Sequence, residues 1–275
     1  MPIKDVSEKS LAELIALGGR GAVVTGAARG IGHAVARRFA EAGAHVVVAD
    51  IDPAGAEKGA AEINALFPGR ATGMAADVTD ETAVARLADA AERAAGRLDI
   101  WVNNAGVFPG GPTVDYPAET CARVVDVNLE GAFLGAREAA RRMMRHDPKG
   151  GVIINIASVA GLIGRKGLAA YTASKHGVVG LTKSLALELG AAEIRVIAIA
   201  PSAVSTPGVA QRAAAATGAE AERIAALNKR VAEGLALGRV GVPDDIARVA
   251  LFAASDLAML MTGCTIPVDA GATAG

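Results

Sequence analysis

Val23-Val24-Thr25-Gly26-Ala27-Ala28-Arg29-Gly30-Ile31-Gly32 is where the chain first shows its plan. A short β-branched run ends in a turn with glycine at 26, 30 and 32, and an apolar helical pattern opens directly behind it. Glycine lets backbone come close to a bound anion, and the first turn of a helix presents unpaired N–H groups at the positive end of its dipole. Strand, turn and helix together suit the pyrophosphate of a dinucleotide. Gly26, Gly30 and Gly32 would form that cradle, with Arg29 and Ile31 along its edge. An ordinary glycine-rich turn would use the same residues, but the position at the first strand-to-helix junction favours the cradle.

About twenty residues on, Val46-Val47-Val48-Ala49 ends at Asp50, where a carboxylate can accept hydrogen bonds from both hydroxyls of an adenosine ribose. Ile51 follows at the same edge. A 2′-phosphate would be repelled by Asp50, so NAD fits better than NADP. Arg29 is the contrary signal, since it could pair with that phosphate, and Asp50 could simply cap a helix.

Beyond this unit the same alternation repeats. Strands are predicted at Ala22–Thr25, His45–Ala49, Ala71–Ala76, Ile100–Val102, Val152–Ala157, Arg195–Ala200 and Thr265–Val268. Helices are predicted at Ile31–Ala42, Ala54–Leu66, Glu81–Ala95, Ala118–Arg145, Tyr171–Leu189 and Asp244–Ala254. Continuous apolar strands separated by helices describe an α/β fold, a doubly wound parallel sheet of about seven strands with helices on both faces. We expect a single Rossmann-type catalytic domain over 20–275, preceded by an N-terminal extension, 1–19, of unassigned role. The long Ala-rich connection 201–238 is expected to form a substrate lid over the carboxyl edge of the sheet.

Composition narrows the function classes. The 275 residues are 52% hydrophobic and carry 28 Lys and Arg against 29 Asp and Glu, a net charge of −1. Nothing in that balance calls for nucleic acid. Cys121 and Cys264 lie far apart without zinc-site spacing, so no metal is expected. The opening residues do not read as a secretory signal, and the apolar stretch Gly151–Gly164, interrupted by Asn155, is too short to span a bilayer. A cytoplasmic protein without membrane association is the expectation.

The chemistry is concentrated late in the chain. Tyr171 and Lys175 are four apart, so a helix puts them on one face and sets an ammonium beside a phenol. A cation there stabilises the phenolate and makes the pair usable as a general acid and base. Ser158 follows a buried strand at the carboxyl edge, where its hydroxyl can bond a carbonyl oxygen.

With Asp77-Val78, Asn103-Asn104-Ala105-Gly106, Asn128 and Tyr171-Thr172-Ala173-Ser174-Lys175 in this order, the chain resembles the short-chain dehydrogenase/reductases from Arg20 to Gly271. The resemblance implies that Ser158 fixes the substrate oxygen and that Lys175 binds the nicotinamide ribose. It also implies that Asn128 holds a water linking Lys175 to solvent. Asp77 and Val78 would meet the adenine ring, and Asn104, Ala105 and Gly106 the adenosine ribose. Pro201, Val204 and Thr206 would meet the nicotinamide carboxamide. Two positions depart from the family pattern: Ser202 and Ala270 each replace a glycine. The same resemblance implies a homotetramer.

The expected activity is reversible hydride transfer between NAD and a secondary alcohol or ketone, with Tyr171 exchanging the hydroxyl proton. The enclosing segments are mostly small and apolar, which favours an apolar, cyclic substrate; a sugar, a polyol or a 3-oxoacyl thioester stays open. Arg165, Lys166 and Arg212 could meet an anionic group or face water. Two other classes remain: a non-catalytic NAD-binding sensor or scaffold, and a dehydratase or epimerase that uses NAD transiently.

Overall fold

The computed structural model describes residues 5–206, 218, 226 and 231–274. Seven strands form one parallel sheet: β1 (Gly21–Thr25), β2 (His45–Asp50), β3 (Ala71–Ala75), β4 (Ile100–Asn103), β5 (Gly151–Ile156), β6 (Ile194–Pro201) and β7 (Thr265–Val268). Their order is β3-β2-β1-β4-β5-β6-β7. The order in which strands are added reverses between β1 and β4, and that switch opens a crevice at the carboxyl edge where a ligand can lie.

Burial on both faces explains the unbroken apolar strands. Val24, Val48, Val102, Ile154 and Ile199 face one layer, where they pack with Phe39 of α2 (Gly30–Glu41), Ile63 of α3 (Pro53–Leu66) and Ile246 of a later helix. Val23, Val47, Trp101, Ile153 and Val196 face the other, against Leu87 of α4 (Glu81–Ala95) and Met143. The late helix, Pro243–Ala254, is fastened to α2 by a two-pronged pair: Arg38 Nε lies 2.6 Å from Asp244 Oδ1, and Nη2 lies 2.7 Å from Oδ2.

The segment expected as one helix, Ala118–Arg145, is three pieces. α5 (Ala118–Val125) runs into a π turn, Asp126–Glu130, and then into α6 (Gly131–Met143). In the turn the Gly131 N–H donates to the Asp126 carbonyl five residues back. Apolar period alone cannot reveal one extra residue in a turn. α6 lies on the sheet through Ala136, Ala139 and Met143, whereas α5 packs against α7 (Ala169–Leu189).

A polar chain threads the second layer. Trp101 Nε1 donates to Asn103 Oδ1 at 2.7 Å, Asn103 Nδ2 to Asn155 Oδ1 at 2.9 Å, and Asn155 Nδ2 to Thr182 Oγ1 at 2.9 Å. Thr182 in turn donates to the Val178 carbonyl. Every member has a partner, so these buried groups tie β4, β5 and α7 without an unpaired donor.

The segment before β1 is attached to the domain. Leu17 is fully buried in the α2 layer and its N–H donates to the Ala42 carbonyl at 2.8 Å. Lys9 and Arg20 both pair with Asp256, each at 2.5 Å. Most of the expected lid, including Arg212, lies outside the described residues.

At the other end, Ala270 holds φ +52°, a left-handed conformation that a Cβ disfavours. Ala270→Gly relieves that strain, partly offset by the greater freedom of glycine when unfolded. The expected gain is about 1 kcal/mol, read as a rise in melting temperature of about 2–4 °C by calorimetry.

Candidate active site

The turn after β1 is shaped by close approach. A Cβ on Gly26 would stand 2.8 Å from Ala105 Cα, and one on Gly32 would stand 2.5 Å from Asn104 Nδ2 and from the Gly26 carbonyl. Both positions must be glycine for the turn to lie on the segment after β4. Gly26 and Gly30 hold φ of +62° and +65°, which glycine adopts without cost. Thr25 knots the two segments: its hydroxyl donates to the Val102 carbonyl and accepts from the N–H groups of Asn104 and Ala105.

Beside this turn lies a cavity of about 1000 Å³. It is lined by Gly26, Arg29, Gly30, Ile31, Asp50, Ile51, Asp77, Val78, Asn104, Ala105, Gly106 and Thr206, all read from sequence as cofactor residues. Gly32 is behind the wall, where it permits helix packing. The Asn104 side chain also turns away from the cavity, donating to the Thr25 and Gly26 carbonyls at 2.8 and 2.9 Å. Asp50 Oδ2 accepts from the Ala28 N–H at 3.0 Å and Oδ1 from the Asp52 N–H at 3.1 Å. This carboxylate therefore fixes the glycine turn as well as facing the cavity. A positive-φ glycine at the start of α2, an open cradle above it and a carboxylate at the far edge fit a dinucleotide.

A second cavity of about 690 Å³ adjoins the first and shares Ile31, Asn104, Gly106, Phe108 and Thr206 with it. Ser158, Tyr171, Lys175, Pro201 and Val204 line it. Ser158 opens a short 3₁₀ turn, its hydroxyl oxygen accepting from the Ala160 N–H at 3.1 Å. The same side chain stands close enough to the Tyr171 phenol to lower its pKa. Burial pushes the phenol above its ordinary pKa, and Ser158 offsets that in part. The ammonium of Lys175 stands 5.7 Å from the centre of the Tyr171 ring.

Lys175 is the most constrained member. It is 5% exposed, and its Nζ donates to the Ile156 carbonyl at 2.7 Å. Desolvation lowers its pKa from the ordinary lysine value to about 8. Asn128, buried in the π turn, clamps the neighbouring loop in both directions: Oδ1 accepts from the Val107 N–H at 2.8 Å and Nδ2 donates to the Val107 carbonyl at 2.9 Å. Its other amide hydrogen goes to Ser174 Oγ, which donates to the Tyr171 carbonyl. A Cβ added at Gly106 would sit 3.2 Å from Asn128 Oδ1 and 3.8 Å from Lys175 Nζ, so both groups converge beside that glycine.

Two features escaped the sequence reading. The Ile156 carbonyl that receives Lys175 and the Val107 peptide clamped by Asn128 act through backbone, which leaves no residue signature. Phe108 meets Tyr171 edge-on, with ring centroids 6.2 Å apart. Sequence places Phe108, with Tyr116, as the aromatic residues of the segments expected around the substrate. Ser202, the first departure from the family pattern, points toward the tail: its hydroxyl donates to the Asp269 carbonyl at 3.0 Å.

Comparison with known proteins agrees with this geometry. A family described as enoyl-(acyl carrier protein) reductase matches residues 26–273. The 3beta-hydroxysteroid dehydrogenase 1 of Eggerthella lenta is 42% identical over 261 residues, spanning 94% of this chain and 95% of that protein. The trans-4-hydroxycyclohexanecarboxylate dehydrogenase of Sinomonas cyclohexanicum is 39% identical, spanning 92% of this chain and 93% of that one. A short-chain type dehydrogenase/reductase from Mycobacterium marinum superimposes with a TM-score of 0.86 at 35% identity, over 97% of this chain and 100% of its own. With cradle, paired cavities and seven-stranded order all in place over the same length, the chain belongs to the short-chain dehydrogenase/reductase family.

Proposed function

We propose that this chain is an NAD-dependent oxidoreductase of secondary alcohols and ketones, with Tyr171 as its general acid and base. The single observation that carries this reading is the meeting of Ser158, Tyr171 and Lys175 on the cavity that adjoins the dinucleotide cradle. The bound dinucleotide would supply or receive the hydride. Tyr171 gives its phenolic proton to the substrate oxygen in reduction and takes it back in oxidation. Ser158, on the same cavity wall as that phenol, would hold the oxygen in line. Lys175, whose ammonium faces Gly106 at the border of the two cavities, would hold the nicotinamide ribose. Asn128 positions the Val107 loop and the first turns of α7, and the π turn that presents it is a feature common at functional sites.

The remaining cofactor residues are read as in the sequence. Gly26, Arg29, Gly30 and Ile31 would take the pyrophosphate, with Gly32 behind them for close packing; Asp50 and Ile51 would take the adenosine ribose, and Asp77 and Val78 the adenine. Pro201, Val204 and Thr206 would take the carboxamide. Among the described residues no cluster of three or more His, Cys, Asp or Glu could hold a metal. No helix among them is long and apolar enough to cross a membrane. With the near-neutral charge, this supports a cytoplasmic enzyme. Exposed Phe133 on α6 and Leu187 on α7 offer apolar surface for the homotetramer that the family resemblance implies. Two relatives carry ring alcohols in their names, which supports a cyclic substrate here.

A panel of alcohols and ketones followed by NADH absorbance tests the activity. Tyr171→Phe is expected to lower kcat/KM by roughly 10²–10⁴-fold while the variant still binds dinucleotide, and an unchanged rate overturns the reading. Asp50→Ser keeps an acceptor for the Ala28 N–H but removes the charge. The ratio of NADP to NAD efficiency should then rise by about tenfold or more, the equivalent of one ordinary charge interaction. A wild-type preference for NADP would defeat the Asp50 argument.

The buried ammonium has its own signature. A lysine whose folded pKa of about 8 lies below its unfolded value costs stability fully below pH 8, and the penalty fades as pH rises toward 10.5. Without cofactor, Lys175→Met should therefore be inactive yet more stable at pH 7, by about 2 kcal/mol after the lost bond to Ile156 is set against the relieved desolvation. Its advantage should shrink between pH 8 and 10, as measured by urea denaturation.

A further inference from the structure

The cavity beside Tyr171 is nearly without charge. Among the described residues its only ionisable side chains are Tyr171, Lys175 and Arg165, and it is lined by no Asp or Glu. Lys175 is turned onto the Ile156 carbonyl. The Arg165 side chain has no hydrogen bond or ion pair among the described residues. Arg165 is exposed, and among the described residues it is the one arginine that lines this cavity.

Arg165 also stands on a braced loop. The Leu168 N–H donates to the Arg165 carbonyl at 3.1 Å, and the Gly111 N–H donates to the Gly167 carbonyl at 2.9 Å. Two cross-links thus hold the short connection between the Ser158 turn and α7, so the guanidinium projects from a defined stem. Around it the wall is apolar, formed by Val159, Leu168, Val204 and Leu235 among others.

We infer that the substrate is a hydroxy acid, or its oxo counterpart, with an apolar ring or chain whose distal carboxylate pairs with Arg165 while its carbinol faces Tyr171 and Ser158. The inference rests on the oxidoreductase reading above. In oxidation the carbinol C–H bond breaks with its electron pair passing to NAD, the O–H proton passes to Tyr171, and C=O forms; the carboxylate is unchanged. A single guanidinium offers the two parallel donors that a carboxylate accepts. A phosphate monoester, with more charge, would call for a second unpaired cation; among the described residues Lys166 does not line the cavity and Lys175 is held by the Ile156 carbonyl.

Two measurements test this separately from the oxidoreductase reading. With NAD, wild-type enzyme should turn over 4-hydroxycyclohexanecarboxylate with a kcat/KM at least tenfold above that for cyclohexanol. Arg165→Met should erase the preference through KM, a loss of roughly 10- to 100-fold for the acid and little change for the neutral alcohol, as expected for a charged hydrogen bond removed. In calorimetry on the NADH complex, cyclohexanecarboxylate should bind wild type and bind Arg165→Met at least tenfold more weakly. Equal turnover of acid and neutral alcohol, or a preference that survives Arg165→Met, overturns the inference while leaving the oxidoreductase reading intact. Carboxylate binding lost in Arg165→Met, without NAD-linked turnover of any alcohol, overturns the oxidoreductase reading and leaves the Arg165 contact standing. Absence of carboxylate binding in either protein overturns the inference.

Discussion

A lysine ammonium sealed behind the carboxyl edge of a parallel sheet, with a backbone carbonyl as its hydrogen-bond partner, is the constraint around which this site is arranged. Burial makes the charge expensive, and the Ile156 carbonyl compensates only in part. The fold accepts that expense because the surrounding elements leave the group no other position. α7 carries Lys175 and Tyr171 on one face, β5 ends at its acceptor, and the π turn brings Asn128 within reach of the same glycine. A site of this kind trades stability for a charge held in readiness.

The cradle and the cavity beside Tyr171 are joined by the same few residues. Thr25 binds the turn after β1 to the segment after β4, and two residues further that segment reaches Gly106 and the Asn128–Val107 clamp. The hydrogen bonds run continuously from the glycine turn to α7. Displacement of any one of them would move the dinucleotide and the phenol relative to each other, and distances between reacting groups govern rate steeply.

Much of this was legible in the residues. Strand positions followed from apolar runs covered on both sides, and the cradle from glycines whose absent Cβ atoms prove to be filled by Asn104 and Ala105. Ser158, Tyr171 and Lys175, singled out from the sequence, line one cavity. What could not be read shares one physical character: it acts through main chain or through direction. The residues could not say that Asn104 faces inward, that Asp50 also fastens the Ala28 peptide, or that Lys175 prefers a carbonyl to the phenol. The segment before β1 showed no strong pattern because one buried apolar residue, Leu17, and the ion pairs of Lys9 and Arg20 with Asp256 attach it.

The π turn between α5 and α6 carries a further meaning for how such a chain can change. One surplus residue there rotates α5 out of phase with α6, so each half meets its own neighbour, α7 in one case and the sheet in the other. Removing the surplus would restore an unbroken spiral but swing every side chain of one half by about 100°, the angle per residue of a helix. The number of residues in the turn, more than their identity, therefore sets which neighbour each half meets.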